Sequence, residues 1–363
     1  MAEALGALSA QKSAGKLVHL RRLADEAGRF KMLAIDQRGS LQQALAREVG
    51  QEPGYEDLAR FKALVTKVLA PQATAVLMDP VYGYPHSCTH IPRGVGILLA
   101  CEESGYERTG PGDRERRSQL LEGWSVEKVK RCGADAAKLL IYYHPDASPQ
   151  TRTHQQALVR QVGEACARQD LPFLLELLSY PIDMPSDSPE FARVKPDLVI
   201  RSAAEFSKPE YCVDILKLEF PAELKYTEEY AHKIFDDRAR EPVYNISQVR
   251  GFCRRLDEAV SMPWVILSAG VDIREFLIQL ELACEAGASG FLCGRAIWKA
   301  AIKKYPDVEA LERTLKSEGA YNFKRANATA EAALPWFEHK RFRGGWELLG
   351  KGPSWYREYG GGS

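Results

Sequence analysis

The 363 residues carry 49 Lys plus Arg against 49 Asp plus Glu; zero formal net charge argues against a general nucleic-acid or anionic-membrane binder, so any anion site has to be local. The length admits two domains but also suits a single large α/β barrel with a full core. The eight cysteines, at 88, 101, 132, 166, 212, 253, 284 and 293, are dispersed without a C-x-x-C pair, which argues against a zinc ribbon or disulfide scaffold and suits buried thiols in a reducing cytoplasm.

Residues 1–30 mix both charge signs with Leu17, Leu20 and Leu23 at helical spacing, the pattern of a docking helix; they hold no continuous apolar stretch of the kind a secretory leader needs. No charge-poor apolar run approaches the roughly 20 residues that cross a bilayer, and a cytoplasmic protein is expected. From residue 31 onward, short apolar runs bounded by Gly, Pro or polar residues alternate with longer amphipathic stretches. Eight runs read as strands: 31–36, 74–79, 96–101, 136–142, 173–177, 214–219, 264–268 and 290–293. Helices are predicted at 55–70, 114–132, 153–170, 247–260 and 273–286.

Eight βα units predict an α/β fold, a (β/α)8 TIM barrel over 31–318, preceded by the N-terminal helix and followed by an aromatic C-terminal extension over 319–359. A doubly wound open sheet is the alternative, but no GxGxxG follows the first strand, and the eighth strand is followed by helix as closure requires. The stretch 226–243, rich in both charge signs, reads as a solvated insertion near the sixth strand. In the extension, Trp336, Phe337, Phe342, Trp346, Trp355 and Tyr356 need a surface, either across the barrel or on a second subunit, so a homo-oligomer is expected. The final Gly-Gly-Gly-Ser, 360–363, has the composition of a flexible linker.

Barrel enzymes build their sites at the carboxyl ends of the strands. Here those ends carry Asp36-Gln37-Arg38, Asp79, Glu102, Glu176, Ser268-Ala269-Gly270 and Gly294-Arg295, while Lys138 and Lys217 lie within strands. Side chains alternate across a strand, so Lys217 and Glu219 share one face, Leu216 and Leu218 the other. The same parity lets Lys138, Glu176 and Lys217, from three consecutive strands, converge inside the barrel mouth. A lysine in an apolar strand suits amine catalysis, because burial favours the neutral amine that attacks a carbonyl, a second ammonium disfavours its charge further, and a carboxyl group moves the protons. A solvated edge-strand lysine, an ion pair with Glu219 or a structural salt-bridge cluster would use the same residues. After the seventh and eighth strands, SAG and CGRA suit phosphate binding by backbone N–H groups, with Arg295 as a charge-assisted donor. Tight-turn glycines beside a surface arginine would look alike.

His86, Cys88 and His90 invite a zinc reading, in which a bound metal ion would polarise a carbonyl substrate in place of imine formation. Pro85 and Pro92 oppose the helical register that would align the two histidines, and no fourth ligand motif is apparent. No metal or cofactor is expected.

The motifs LAIDQRGSL (33–41), GADAAKLLIYY (133–143), PFLLELLSY (172–180), DILKLEFP (214–221), LSAGV (267–271) and GASGFLCGRAIW (287–298) resemble those of the class I tagatose 1,6-bisphosphate aldolases, a group related to sulfofructose-phosphate aldolases. The likeness is colinear from about residue 10 to about residue 340. It implies that Lys217 forms the Schiff base, that Glu176 is the acid/base, and that Lys138 and Asp36 stand near the reacting carbons. It further implies that Ser268, Gly294 and Arg295 hold the ketone-side phosphate, with Gln37 and the Leu267 backbone as further contacts. The implied reaction is reversible cleavage of a ketohexose 1,6-bisphosphate, the tagatose or fructose epimer, to glycerone phosphate and glyceraldehyde 3-phosphate. A sulfonated analogue is the alternative substrate, and Arg38 or another basic loop residue could hold either distal anion. A non-catalytic phosphosugar sensor would gain little from two lysines inside a barrel, and an isomerase would leave Lys217 without a task.

Overall fold

Runs that are apolar at every position make strands buried on both faces, which is what a parallel sheet covered by helices requires. The computed structural model describes residues 13–343 and 353–359. Its strands are β1 (Phe30–Ile35), β2 (Ala75–Met78), β3 (Gly96–Ala100), β4 (Glu107–Thr109), β5 (Glu115–Arg117), β6 (Ala136–Tyr142), β7 (Phe173–Leu178), β8 (Ile215–Leu218), β9 (Trp264–Ile266) and β10 (Gly290–Cys293). Eight of them close into a barrel in the order β1-β10-β9-β8-β7-β6-β3-β2, with parallel pairing throughout, while β4 and β5 form a separate antiparallel hairpin. The expected (β/α)8 barrel is the fold.

Strand parity sorts the core into two layers. Leu33, Ile35, Leu139, Leu175, Leu216 and Leu218 face the surrounding helices, whereas Met32, Leu77, Leu98, Leu174, Ile215 and Leu292 fill the barrel interior. At the amino ends of the strands that interior is closed by Leu17, Leu20 and Leu23 of the helix Ala14–Leu23, together with Trp336 and Phe342. Each fully buried leucine there contributes about 1.5–3 kcal/mol. The plug is tied down by polar contacts: Lys16 Nζ lies 2.8 Å from Asp214 Oδ2, both fully buried, and Arg341 donates to the Val213 and Ser207 carbonyls at 2.6 Å each.

Several sequence expectations change. The span 114–132, expected as one helix, holds β5, the second strand of the hairpin, then a loop and only a short helix, Val126–Arg131. Within it Gly123 adopts positive φ, a conformation that interrupts helix, and residues 118–121 turn back onto the chain after β3 (Glu103 N to Gln119 O 2.8 Å, Leu121 N to Cys101 O 3.0 Å). Two of the longer helices have no counterpart among those expected from the sequence, Gly39–Val49 and Pro189–Phe206, the second with Pro196 inside it. The stretch 226–243 is only partly solvated: Tyr226 and Ala231 are buried, and Asp187 ties the segment down through Tyr226 (2.9 Å) and Arg240 (3.3 Å). Of the C-terminal aromatics, Trp336 and Phe342 pack on the barrel floor, Trp355 and Tyr356 are exposed, and Trp346 and the Gly-Gly-Gly-Ser end lie outside the described residues. Among the described residues, no helix is long and apolar enough to cross a membrane.

Candidate active site

At the opposite, carboxyl end of the barrel a cavity of about 810 Å³ opens. All ten residues singled out from the sequence line it: Asp36, Gln37, Arg38, Lys138, Glu176, Lys217, Leu267, Ser268, Gly294 and Arg295. Asp79 does not. It points into the helix layer, where it pairs with buried Lys62 and accepts from the Val81 and Tyr82 N–H groups (2.9 and 2.7 Å). An odd or even position on a strand decides which carboxylates reach the mouth.

The floor of the cavity is a charge cluster. Lys138 Nζ lies 2.8 Å from Asp36 Oδ2, 2.5 Å from Glu102 Oε1 and 3.0 Å from Glu176 Oε2. Lys217 Nζ lies 2.9 Å from Glu176 Oε1, so Glu176 bridges the two ammonium groups with one oxygen each. The sequence reading set lysine against lysine; the structure inserts a carboxylate between them. Glu102 is further oriented by the Leu140 N–H, 3.0 Å from its Oε2. Burial opposes the charge on Lys138, but Asp36, Glu102 and Glu176 outweigh it and hold the group well above the usual lysine range. Burial likewise favours neutral Asp36, and the charges of Lys138 and then Lys217 overcome it, holding Asp36 below the usual carboxylate range. Lys138 is therefore a locked ammonium. Lys217 has a single carboxylate, Glu176, in ion-pair range among the described residues.

The side of the cavity expected from the sequence to take an anion is built at β9 and β10. Ala269 and Gly270 both take positive φ (+46° and +81°), folding the backbone back so that Val271 N donates to Ser268 O at 2.9 Å. Gly294 is required by close approach, since a Cβ there would meet the Ala34 carbonyl oxygen at 2.5 Å. The helix Arg295–Ile302 starts at that point, so its amino end and the Arg295 side chain both border the cavity. Among the described residues Arg295 forms no ion pair, whereas Arg38 donates to the Glu102 carbonyl and faces Glu103 Oε1 at 3.7 Å.

Among the cavity residues that sequence alone does not assign to the site are Glu102, which shows there only as a strand end, and Tyr106 and Arg116 of the β4–β5 region. An acidic residue directly after a strand was the available signal for Glu102; none distinguished Arg116 from neighbouring surface arginines. His86, Cys88 and His90 do not converge. His86 Nε2 lies 3.0 Å from the Tyr55 hydroxyl, and among the described residues no three His, Cys, Asp or Glu side chains are grouped as metal ligands would be.

Comparison with known proteins places this geometry in context. A family model described as "DeoC/LacD family aldolase" matches residues 30–300. Tagatose 1,6-diphosphate aldolase 2 of Enterococcus faecalis is 39% identical over 332 residues, covering 89% of this chain and 96% of its own. Tagatose 1,6-diphosphate aldolase of Streptococcus pneumoniae is 36% identical over 329 residues, 89% of this chain and 98% of its own. Among solved structures, fructose-bisphosphate aldolase from Plasmodium falciparum superimposes with a TM-score of 0.62 at 14% identity, covering 92% of this chain and 96% of that one, which is a likeness of fold.

Proposed function

Because the chain belongs to the DeoC/LacD aldolase family, we propose that it cleaves a ketohexose 1,6-bisphosphate, tagatose 1,6-bisphosphate first and its fructose epimer second, through an imine on Lys217. The observation that carries this reading is the Lys217–Glu176 pair at 2.9 Å on the floor of a polar cavity, beside a lysine that three carboxylates keep charged.

In the proposed sequence Glu176 takes a proton from Lys217, and the neutral amine attacks the C2 ketone. The proton held on Glu176 then leaves with the C2 oxygen as water, giving a protonated imine. A base removes the C4 hydroxyl proton, the C3–C4 bond breaks, and its electron pair flows into the imine as glyceraldehyde 3-phosphate departs. Asp36 suits that base: it is kept ionised, and its buried Oδ1 has no hydrogen-bond partner among the described residues, leaving a lone pair for a substrate hydroxyl. Protonation of the resulting enamine at C3 and hydrolysis release glycerone phosphate. Lys138 anchors the carboxylates throughout, while Ser268, Gly294 and Arg295 suit the phosphate that stays with the ketone half. Gln37 and Leu267 would contact the bound sugar chain.

Triose phosphate release from both C4 epimers, followed by a coupled dehydrogenase assay, tests the reading. Cleavage of tagatose 1,6-bisphosphate is expected. Absence of triose phosphate from either epimer would overturn it.

A further inference from the structure

We infer that Arg116 holds the distal anion of the substrate, the phosphate on the half that leaves as the aldehyde. This deepens the bisphosphate reading and rests on it. The β4–β5 hairpin joins β3 to β6, which are neighbours in the barrel. In the ring order β1-β10-β9-β8-β7-β6-β3-β2, the β3–β6 step lies four strands from the β9–β10 step in either direction. The hairpin therefore rises across the mouth from Ser268, Gly294 and Arg295, with Lys217 and Glu176 on the arc between. A molecule with an anion at each end that spans the mouth meets one guanidinium on each side.

Local structure aims Arg116 at that position. On β5 the buried Glu115 turns outward to accept from Ser148 N (2.7 Å) and Ser148 Oγ (2.6 Å), so alternation turns Arg116 the other way, where it lines the cavity. Its backbone N–H is fixed by the Tyr180 hydroxyl at 3.3 Å. Its guanidinium carbon sits 4.5, 4.8 and 5.3 Å from the ring centroids of Tyr106, Tyr180 and Tyr142. Three aromatic faces hold the cation in place but satisfy none of its N–H donors. Among the described residues no carboxylate pairs with it. A caged guanidinium with unspent donors, above a floor bearing three carboxylates, is what a phosphate needs in order to approach that floor. Arg38, the other basic residue considered for this end, gives one guanidinium nitrogen to the Glu102 carbonyl and turns the other toward Glu103 Oε1 at 3.7 Å.

The test uses hexitol 1,6-bisphosphate and hexitol 1-phosphate, which lack a carbonyl and so bind without imine formation, titrated calorimetrically into the full chain. Wild type is expected to bind the bisphosphate more tightly. Arg116→Gln is expected to lose about ten- to a hundredfold on the bisphosphate, the worth of a charge-assisted contact, and to leave the monophosphate unchanged. Arg116→Lys, which keeps the charge but loses the fork, is expected to fall between. Undiminished affinity of either variant for the bisphosphate, or an equal loss on both polyols, would overturn the assignment. Wild type binding neither polyol would instead overturn the bisphosphate reading beneath it.

Discussion

Lys138 and Lys217 are both buried beside Glu176, yet only Lys138 is locked by three carboxylates, and that asymmetry divides their proposed tasks. Glu176→Gln is expected to slow imine formation and with it to lose about 10²–10⁴-fold in turnover, since an amide can neither take the Lys217 proton nor return it to the leaving oxygen; the rate of borohydride trapping set against steady-state turnover checks this. Wild-type turnover would pass the role to Asp36. Asp36 also sets a pH dependence. Its folded-state value is depressed, so its stabilising contribution is full above the unfolded value of about 3.9 and is lost as pH falls from there through the folded value. The stability advantage of wild type over Asp36→Asn is therefore expected to shrink as pH drops below about 4, read from urea midpoints across pH. An advantage that stays constant with pH would contradict the ion-pair account. Lys138 works in the opposite sense: its raised value gives a contribution that is full below the ordinary lysine range and is lost only as pH rises through the folded value.

At the scale of elements, the barrel strands were legible because each is a short apolar run whose parity also predicts which side chains face inward. The convergence of Lys138, Glu176 and Lys217 follows from that alternation. The hairpin was not legible, because β4 and β5 are three residues each and mostly charged, Glu-Arg-Thr and Glu-Arg-Arg, with none of the apolar alternation that marks a strand. Arg116 was hidden for the same reason, its cage being assembled from Tyr106, Tyr142 and Tyr180 on separate elements. The helix Pro189–Phe206 was masked by Pro196, which is usually read as a break. The N-terminal helix shows its role in its leucines. Leu20→Ala is expected to lower stability by about 2–5 kcal/mol while leaving KM unchanged, because the plug lies at the far end of the barrel from the cavity. Denaturant unfolding with parallel kinetics separates the two effects, and a changed KM with unaltered stability would contradict this division.

For the molecule as a whole, stability and chemistry occupy opposite ends of one barrel. The amino end is sealed by Leu17, Leu20, Leu23, Trp336 and Phe342, and the carboxyl end is a polar cavity with lysines at its floor and arginines on facing sides. Zero net charge fits that arrangement, since attraction for a doubly anionic sugar is confined to the rim and needs no global field. The proposed chemistry depends on which lysine bonds to substrate. Borohydride added with glycerone phosphate, followed by peptide mass spectrometry, reads this directly. The expected result is irreversible inactivation with one reduced triose adduct on Lys217; an adduct on Lys138, or no adduct at all with activity intact, would contradict it.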